Sequence, residues 1–461
     1  MSTRTAVVAV LLVMSGIRPA AALDRSRERS MPDRPVATAP IESGARERDI
    51  ASDTAADLDR APAAPPPDSL VTRALARSPS LAALRSRVER ARALVPTAGA
   101  LPNPMLEVMV QDAGFPRWTV GKEEMSMIGP QLTQTIPFPG KRGALERAAQ
   151  ADVSVASEEL EAARREVARE VRATYARLYA LDQERRALEA GRELLDMLAA
   201  TVRRRYAVGE GEQEAAVKAQ LEVTRIAAQL DDNAAERAAA VATLDGLLDL
   251  PGDAPLGRVD SLPAVHPPAP PWADAVIAGS AEVAKARAQV TAAERRLDSG
   301  RRALWPDLEI GAGAGFRGAL DPVATFRLGL ELPLWAAQSQ LPMIRAASRE
   351  LDAARADLRD AEASARAEAA RLEAEWRRSG AQVPRYAEGV VPQTNLAFDA
   401  ARSGYLAGRV DFSTVIEDFR MWFEARAELA RREAERYTTW AGLEAATGGS
   451  GASPANAGEG R

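Results

Sequence analysis

The sequence has no cysteine, one histidine and few aromatic residues, which make up 5% of its 461 residues. Without cysteine, the chain holds no disulfide and cannot carry a lipid on a processed N-terminal cysteine. One histidine and no Gly-rich phosphate loop leave no visible constellation of nucleophile and base. A formal net charge of −5 argues against nucleic-acid binding, which needs a basic face. Enzymes and nucleic-acid-binding proteins are therefore the least favoured classes.

Long hydrophobic runs are missing as well. No segment approaches 18 consecutive apolar residues, so the sequence predicts no membrane-spanning helix. Residues 1–22 combine Arg4, a short apolar run from Ala6 to Met14 and the small residues Ala20 to Ala22, a pattern typical of a secretory signal peptide cleaved after Ala22. A retained N-terminal anchor is the alternative. The protein is predicted to be exported.

The chain is instead rich in alanine, with 27% charged residues, a mixture that favours long helices. Residues 23–68 lack apolar periodicity and are predicted to be disordered, like the tail 447–461. A Pro-rich linker at residues 250–272 divides the rest into two repeats, 69–249 and 273–446.

Three pairs of motifs identify these two segments as copies of one another. ALPNPMLEV matches ALWPDLEIG at an offset of 202, TQTIPFPGK matches LELPLWAAQ at 196, and the Tyr-x-x-Gly motifs at Tyr206 and Tyr405 lie 199 residues apart. A repeat of this length indicates a duplicated module rather than a short-unit solenoid.

Each module is predicted to have one plan. It opens with a helix (Leu70 to about Ala98, and Ala273 to about Ala303), continues with two short strands, and turns at a proline corner into a very long helix. A Tyr-x-x-Gly turn then leads into a returning helix, from Glu212 to about Leu248 and from Phe412 to about Ala446.

Alternation of apolar with polar or glycine residues predicts the strands. The apolar positions are Leu106, Val108 and Val110 in the first module, with Glu124 to Ile136 less regular because of Pro130, and Leu308, Ile310, Ala312, Ala314, Phe316, Phe326, Leu328, Leu330 and Leu332 in the second. Such segments suit either a transmembrane β-barrel or a soluble sheet packed on one face. Four strands cannot close a barrel, so a membrane barrel requires several chains to pool theirs.

Heptad spacing predicts that the long helices pack as coiled coils. The first has no proline from Gly140 to Tyr206, a length of roughly 100 Å at 1.5 Å per residue. Its apolar positions are Leu160, Val167, Thr174, Leu181, Leu188, Leu195 and Val202, with a second set at Ala156, Ala163, Val171 and Leu178. The second module repeats the pattern at Ile344, Leu351, Leu358, Ala365 and Leu372. The mixed Glu and Arg runs beside these seams are typical of a solvated helix surface.

Taken together, these features resemble the outer-membrane factor family of TolC-like efflux channels over about Leu70 to Ala446. The segment QTIPFPGKR is similar to that of the heavy-metal branch, where it joins the second strand to the long helix. LPNP before the first strand, YAVGEGEQEAAVKAQLE at the first turn and GYLAGRVDFSTVIE at the second are also similar to that branch.

The resemblance implies an α+β membrane protein: a long coiled-coil α-helical barrel, plus four strands per chain in a shared twelve-stranded outer-membrane β-barrel. It implies a homotrimer in outer-membrane lipid that extends into the periplasm and has no cofactor and no catalysis. The implied partners are a periplasmic adaptor (membrane fusion) protein and an inner-membrane RND-type pump, and the implied cargo is heavy-metal cations such as copper, silver, cobalt, zinc or cadmium. A drug-efflux or type I protein-secretion channel is the alternative. A periplasmic adaptor is a different class, but it has one hairpin inserted in β domains rather than two complete modules.

The resemblance also suggests two functional regions. The strand-to-helix corner is expected at the inner surface of the outer membrane. Pro137 and Pro139 end the strand there and Gly140 allows the turn, with Pro333 at the corresponding place in the second copy. The periplasmic tips are expected to form the gate and adaptor contact at Tyr206, Gly209, Tyr405, Gly408, Arg409, Asp411, Thr414 and Glu417. Thr414 and Glu417 fall where well-known drug-exporting members carry aspartates; Thr414 departs from that pattern and Glu417 keeps only the charge. A ring of Glu417 carboxylates favours cations, and the alternative is that Glu417 is an ordinary solvated helix residue.

The residues themselves give metal binding little support. His266 is alone in the Pro-rich linker, whereas zinc sites use several N and S ligands. Met105, Met109, Met125 and Met127 are candidate thioether ligands for Cu(I), but their place in predicted strands favours packing in the wall. No metal site is predicted in this chain.

Overall fold

The computed structural model describes residues 63–120, 122–209, 211–267 and 269–449. All of them belong to one compact unit, Thr54–Arg461. The predicted signal peptide, residues 23–62 of the predicted disordered segment and the tail beyond residue 449 lie outside the described residues.

The two repeats contain the same elements in the same order. The first consists of α1 (Pro67–Arg77), α2 (Pro79–Gly99), β1 (Met105–Gln111), β2 (Met127–Ile136), α3 (Lys141–Ala207) and α4 (Gln213–Leu248). The second consists of α5 (Ala273–Gly279), α6 (Ala281–Arg302), β3 (Asp307–Arg317), β4 (Leu320–Glu331), α7 (Gln340–Pro384), a π-helical segment (Arg385–Val390), α8 (Val391–Leu406) and α9 (Phe412–Thr447). The predicted duplicated, mostly helical fold is confirmed.

The opening helix of each repeat is two helices rather than the single helix predicted. Ser78 separates α1 from α2 with an extended backbone (ψ 121°), as expected for a residue that precedes a proline. Ser280 separates α5 from α6 in the second repeat, and its hydroxyl accepts a hydrogen bond from the Val283 N–H. In addition, α1 begins at Pro67, two residues before the predicted start of order at Ser69.

The four strands form one antiparallel sheet in the order β1-β2-β3-β4. The register pairs Leu106 with Leu132 and Ile310 with Leu328, so these apolar side chains share one face. Gln131 pairs with Gly313 on the opposite face, which also carries Glu309. The predicted alternation is therefore confirmed in β1, β3 and β4. Strand β2 is less regular, as predicted, because Pro130 and Gln134 fall on its apolar face. Strands β1 and β4 are the edges.

Helix α3, 67 residues long, is the longest described helix. Near the strands it contacts α2, where Arg142 Nε donates to the Gly99 carbonyl (2.7 Å), and α6, where Asp152 and Arg296 form an ion pair. In its C-terminal half, heptad residues such as Leu188 and Leu195 are buried in a core that includes Ile226 of α4 and Phe419 of α9. The heptad prediction for α3 is thus confirmed.

The second long helix is not continuous, in contrast to the prediction. Pro384 and Pro392 flank the π-helical segment Arg385–Val390, and the Val391 N–H bonds to the Tyr386 carbonyl five residues earlier. Since Pro392 has no N–H to complete the α-helical ladder, the wider π turn provides the next bond. We call α3 and α4 the first hairpin, and α7 to α9 the second hairpin. Among the described helices, only the second hairpin has this interruption. None of the described helices combines the length and apolar character needed to cross a bilayer.

The Pro-rich linker is fixed to the first repeat by a buried ion pair. Arg237 Nε donates to Asp182 Oδ1 (2.7 Å), and Asp182 Oδ2 accepts from the N–H of Val259 (2.8 Å), which is fully buried. Arg237 also donates to the carbonyls of Leu256 and Gly257. The linker is therefore held on α3 and α4.

Candidate functional site

The strand-to-helix corner of the first repeat depends on Gly140. Strand β2 ends at Ile136, and Gly140 takes a left-handed conformation (φ 90°) directly before α3. The Lys141 N–H bonds to the Phe138 carbonyl (3.0 Å), which closes the turn. A Cβ on Gly140 would also lie 2.7 Å from the Arg302 guanidinium. The backbone angle therefore requires glycine here, and an added Cβ would also displace the end of the Arg302 side chain.

A carboxylate from the second repeat fixes this corner. Asp307 Oδ1 accepts from the Phe138 N–H and from Lys141 Nζ, both at 2.8 Å. The Phe138 ring stacks on Trp305 with centroids 4.8 Å apart. The sequence reasoning missed these contacts because the partners are about 170 residues apart in the chain.

The corner of the second repeat has a different structure. Pro333 lies two residues after the end of β4, and Pro137 lies one residue after the end of β2. Unlike Pro137, Pro333 is not followed by a glycine at the corner. A series of turns between Leu332 and Ser339 makes the change of direction, with the Ala336 N–H bonded to the Pro333 carbonyl (3.1 Å). The aligned prolines are thus both at corners, whereas the positive-φ glycine belongs to the first repeat.

Both Tyr-x-x-Gly motifs form turns at the end of a long helix. Gly209 and Gly408 have φ values of 76° and 68°, and each donates its N–H to the carbonyl of the tyrosine three residues before it (3.0 Å). In the second turn the Arg409 N–H also bonds to the Gly404 carbonyl (2.9 Å), which completes a Schellman motif. The glycines therefore end the helices through the left-handed conformation.

The two tip tyrosines have unlike surroundings. Tyr405 is 8% exposed and packs edge-on against Phe412, with ring centroids 5.4 Å apart. Arg205 of the first hairpin lies over the Tyr405 ring and donates to its carbonyl (3.1 Å). Tyr206 is 47% exposed. The first hairpin therefore contacts the second at this tip through Arg205, a residue that the sequence reasoning did not single out.

The predicted gate residues beyond this turn are all exposed to solvent. They are Arg409, Asp411, Thr414 and Glu417. Lys218 of α4 lies near two of them: its pKa is raised first by its hydrogen bond with Glu214, and further by the negative charges of Glu417 and Asp411. The structure therefore places Glu417 and Asp411 in the field of a lysine from the other hairpin.

Two turns above the tip, an ion pair joins the hairpins. Glu222 of α4 is 6% exposed and accepts two hydrogen bonds from Arg420 of α9, at 3.0 and 2.6 Å. This pairing raises the pKa of Arg420, against the opposing effect of burial. Arg225, one turn along α4, also contacts Glu222 at 3.4 Å. Because the pair is bidentate and one partner is buried, it is stronger than an ordinary surface ion pair.

The apolar face of the sheet is exposed to the surroundings of the chain. Leu106, Val108, Phe326 and Leu328 are 70% to 85% exposed. On the opposite face, Gln131 and Thr133 are only 4% exposed. This is the reverse of the arrangement expected for a soluble sheet whose apolar face packs inside the chain.

The candidate metal ligands lie in three places in the chain. His266 is exposed in the linker, and Met105, Met109 and Met127 lie along the strands on the face that carries Gln131. Met125 is exposed in the loop before β2. Among the residues described, no three His, Asp or Glu side chains are grouped as a metal site needs.

Several solved structures share this fold at low sequence identity. The chain is similar to CusC at 18% identity over 83% of this chain and 92% of that chain, with a TM-score of 0.72. It is similar to VceC from Vibrio cholerae at 18% identity over 83% and 96% (TM-score 0.71), and to the CmeC outer membrane channel from Campylobacter jejuni at 13% over 93% and 94% (TM-score 0.68). No curated protein matches the sequence.

A family model gives a closer identification. The model described as "Outer membrane efflux protein" matches residues 70–249 and 272–449, which include both repeats and every described strand. Because this match covers most of the sequence, the chain belongs to the outer membrane efflux protein family.

Proposed function

We propose that this chain is the outer-membrane exit duct of a tripartite efflux system and acts as a homotrimer. Three copies pool twelve strands into one β-barrel that continues into a periplasmic tunnel of α-helices. As a member of an efflux family the chain is not an enzyme; its task is passive conduction.

The observation that carries this proposal is the exposed apolar face of the four-stranded sheet. Side chains such as Val108 (70% exposed) and Phe326 (85% exposed) suit lipid, and the glycine and polar face suits a water-filled interior. Edge strands in lipid must find partners, because each unpaired backbone group there costs several kcal/mol. Neighbouring copies supply those partners.

Aromatic residues at both ends of the strands support the membrane placement. Phe115 and Trp118 are exposed in the loop between β1 and β2, and Trp305 and Trp335 are exposed near the helical corners. Transmembrane barrels carry aromatic girdles at both interfaces. The corner at Gly140 then lies at the periplasmic surface of the membrane.

The partners proposed for the tips are a periplasmic adaptor protein and, beyond it, an inner-membrane RND-type pump. Support comes from family membership and from the likeness in fold to CmeC, an outer membrane channel. Arg409, Asp411 and Glu417 are proposed to help hold the tip closed, with Lys218 as a counter-charge. Binding of the adaptor at the tip then competes with the contacts that these charged side chains make with each other.

The proposed cargo is heavy-metal cations, on the resemblance of the IPFPGK and LPNP segments to the heavy-metal branch. Drug efflux and type I protein secretion are the alternatives. Deletion of the gene should lower the resistance of its host to copper, silver, cobalt, zinc or cadmium salts. Sensitivity to drugs alone contradicts the metal cargo and leaves the duct in place.

The duct itself is tested by membrane fractionation and conductance. The protein should fractionate with the outer membrane as a heat-modifiable trimer and form channels in planar bilayers. Replacing Asp411 and Glu417 together by Ala should raise the single-channel conductance, because the charges that close the tip are lost. Asp399→Ala, which removes an exposed carboxylate of α8 (63% exposed), is the control. A water-soluble monomer would overturn the proposal, and an unchanged conductance would remove both residues from the gate.

A further inference from the structure

The four strands contain two arginines, Arg317 at the end of β3 and Arg327 within β4. The neighbours of Arg327 in the strand, Phe326 and Leu328, lie on the exposed apolar face of the sheet. Because successive side chains of a strand point to opposite faces, Arg327 lies on the polar face, where it pairs with Gly311. In the proposed barrel this face is the wall of the water-filled lumen.

The side chain of Arg327 is exposed, and it forms no ion pair or hydrogen bond with another residue in the described part of the chain. Arg317 differs, because its guanidinium donates to the carbonyl of Asp321 (2.9 and 2.7 Å) and to that of Glu124 (3.3 Å). Arg327 is therefore the strand arginine whose charge takes no part in holding the chain together.

Glu309 is a carboxylate on the same face as Arg327, one pair further along β3 and β4. It pairs with Gly329 and lies over that glycine, since a Cβ added there would be 3.7 Å from Glu309 Oε2. A Cβ added to Gly311 would likewise be 3.3 Å from Arg327 Cβ. Among the described residues, Glu309 and Arg327 form no ion pair with each other or with a third residue. Because the paired glycines offer no side chain to bond, both charges are available to ions in the lumen.

The three-fold symmetry of the proposed duct puts the three copies of Arg327 at one height in the lumen. Arginine keeps its positive charge throughout the physiological range of pH. Rings of like charge select ions in pores, and arginine rings favour anions. The lipid around the barrel has a low dielectric constant, which concentrates the field of such a ring in the lumen. Its sign is opposite to that of the carboxylate ring predicted for Glu417 at the tip.

We propose that the three Arg327 side chains form a cationic ring inside the barrel, which repels cations, attracts anions and thereby determines the ion selectivity of this part of the duct. The ring rests on the proposed trimeric duct, and it has a consequence for the cargo. Because a bare divalent cation is repelled at this level, a metal should leave more readily as a neutral or anionic complex.

The absence of cysteine allows a chemical test of the ring. Arg327→Cys is made in the full-length chain, both alone and together with Asp411→Ala and Glu417→Ala, which remove the carboxylates proposed at the tip. Reversal potentials are measured in planar bilayers under a KCl gradient. Arg327→Cys should shift the selectivity toward K⁺. Modification by a methanethiosulfonate that carries a trimethylammonium group should reverse this shift, and one that carries a sulfonate should enlarge it.

Phe326→Cys is the matched control, because Phe326 is adjacent in β4 but lies on the face proposed to contact lipid. The charged, water-soluble reagents should not react with this variant in the membrane. Equal reaction of Phe326→Cys and Arg327→Cys would place both side chains in water and overturn the duct together with the ring. If Arg327→Cys alone reacts and neither reagent changes the selectivity in either background, the ring is overturned and the duct is left in place. Failure of Arg327→Cys to react also overturns the ring.

Salt dependence distinguishes the charge of Arg327 from a structural role. Charges are screened over about 10 Å in 0.1 M salt but over about 3 Å in 1 M salt. Arg327→Gln should therefore shift the selectivity toward cations more in dilute than in concentrated salt, whereas Arg327→Lys, which keeps the charge, should leave it unchanged.

Arg317→Gln is the control for loss of an arginine from the strands. Its shift should be smaller, because the Arg317 guanidinium is bound to backbone carbonyls at the end of β3. A shift in Arg327→Gln that is the same in both salts, or an equal shift in Arg317→Gln, contradicts the proposed ring.

Discussion

Two glycines three residues apart, Gly140 and Gly143, have opposite requirements. Gly140 has φ 90° and the Arg302 guanidinium beside it, whereas Gly143 lies inside the first turn of α3 with only the flexible end of Arg147 nearby (3.4 Å). Gly140→Ala should destabilise the protein by about 1–2 kcal/mol, the cost of a left-handed residue with a Cβ. Gly143→Ala should stabilise it by roughly 0.5–1 kcal/mol through helix propensity.

Urea unfolding of the detergent-solubilised protein, followed by circular dichroism, measures both glycine variants. Equal effects of the same sign would show that the corner does not depend on the backbone angle of Gly140.

The Asp182–Arg237 pair is a second feature that depends on single residues. Asp182→Ala leaves the Arg237 guanidinium (8% exposed) without its carboxylate partner and the buried Val259 N–H without its acceptor. The expected loss is about 3–5 kcal/mol, as for other buried pairs cut on one side. Glu236→Ala is the matched control, because Arg177–Glu236 joins the same two helices at 58% and 60% exposure.

The control variant Glu236→Ala should cost less than about 1 kcal/mol. Thermal unfolding of the two variants gives the comparison. A loss at Asp182 no larger than the loss at Glu236 would mean that the linker contributes little to stability.

At the scale of elements, the two hairpins are joined by Arg420 and Glu222. Arg420→Met removes the bond between α9 and α4, so the tip should open more readily and the single-channel conductance should rise. Arg225→Met is the control, since Arg225 also contacts Glu222 but belongs to α4 itself, as Glu222 does. A similar rise in both variants would point to the loss of a positive charge rather than of the bond between hairpins.

The elements could be predicted from the sequence where a local pattern decides them. Alternation defined β3, and heptads defined α3, because burial of one face follows directly from such periods. The π-helical segment was missed because two prolines, Pro384 and Pro392, indicate a break without its geometry. The division at Ser78 was missed although Pro79 follows it and restricts its backbone.

The tips could be predicted only in part. Gly209 and Gly408 follow from local turn chemistry, which the sequence displays. The charge interaction of Lys218 with Glu417 and the pair Glu222–Arg420 could not be found in this way, because each joins residues of different hairpins that are about 200 positions apart. The roles of Asp411 and Glu417 in a gate stay predictions.

At the scale of the whole molecule, adjacent residues on opposite faces of β1 test the membrane placement. Val108 is 70% exposed on the apolar face, and Glu107 is on the face of Gln131. Val108→Arg should reduce the heat-modifiable trimer in the outer membrane, because an arginine facing lipid costs about 2–4 kcal/mol at mid-depth. Glu107→Arg should assemble normally and shift the ion selectivity toward anions.

Quantitative immunoblots of outer-membrane fractions measure the assembly of the two β1 variants, and reversal potentials in planar bilayers measure their selectivity. Normal assembly of Val108→Arg would contradict contact of this face with lipid.

The carboxylate of Asp307 has a consequence for how such an assembly comes apart. Asp307 joins the start of α3 to the second repeat of the same chain by hydrogen bonds to Phe138 and Lys141. The counterpart of Asp307 in the first repeat is Met105, and the counterparts of Phe138 and Lys141 are Leu334 and Gln340, so the second corner has no such carboxylate. In the proposed ring of three chains, three corners held by the Asp307 hydrogen bonds therefore alternate with three corners that lack them. When the ring dissociates, the corners without these hydrogen bonds should separate first, and each subunit should be released intact.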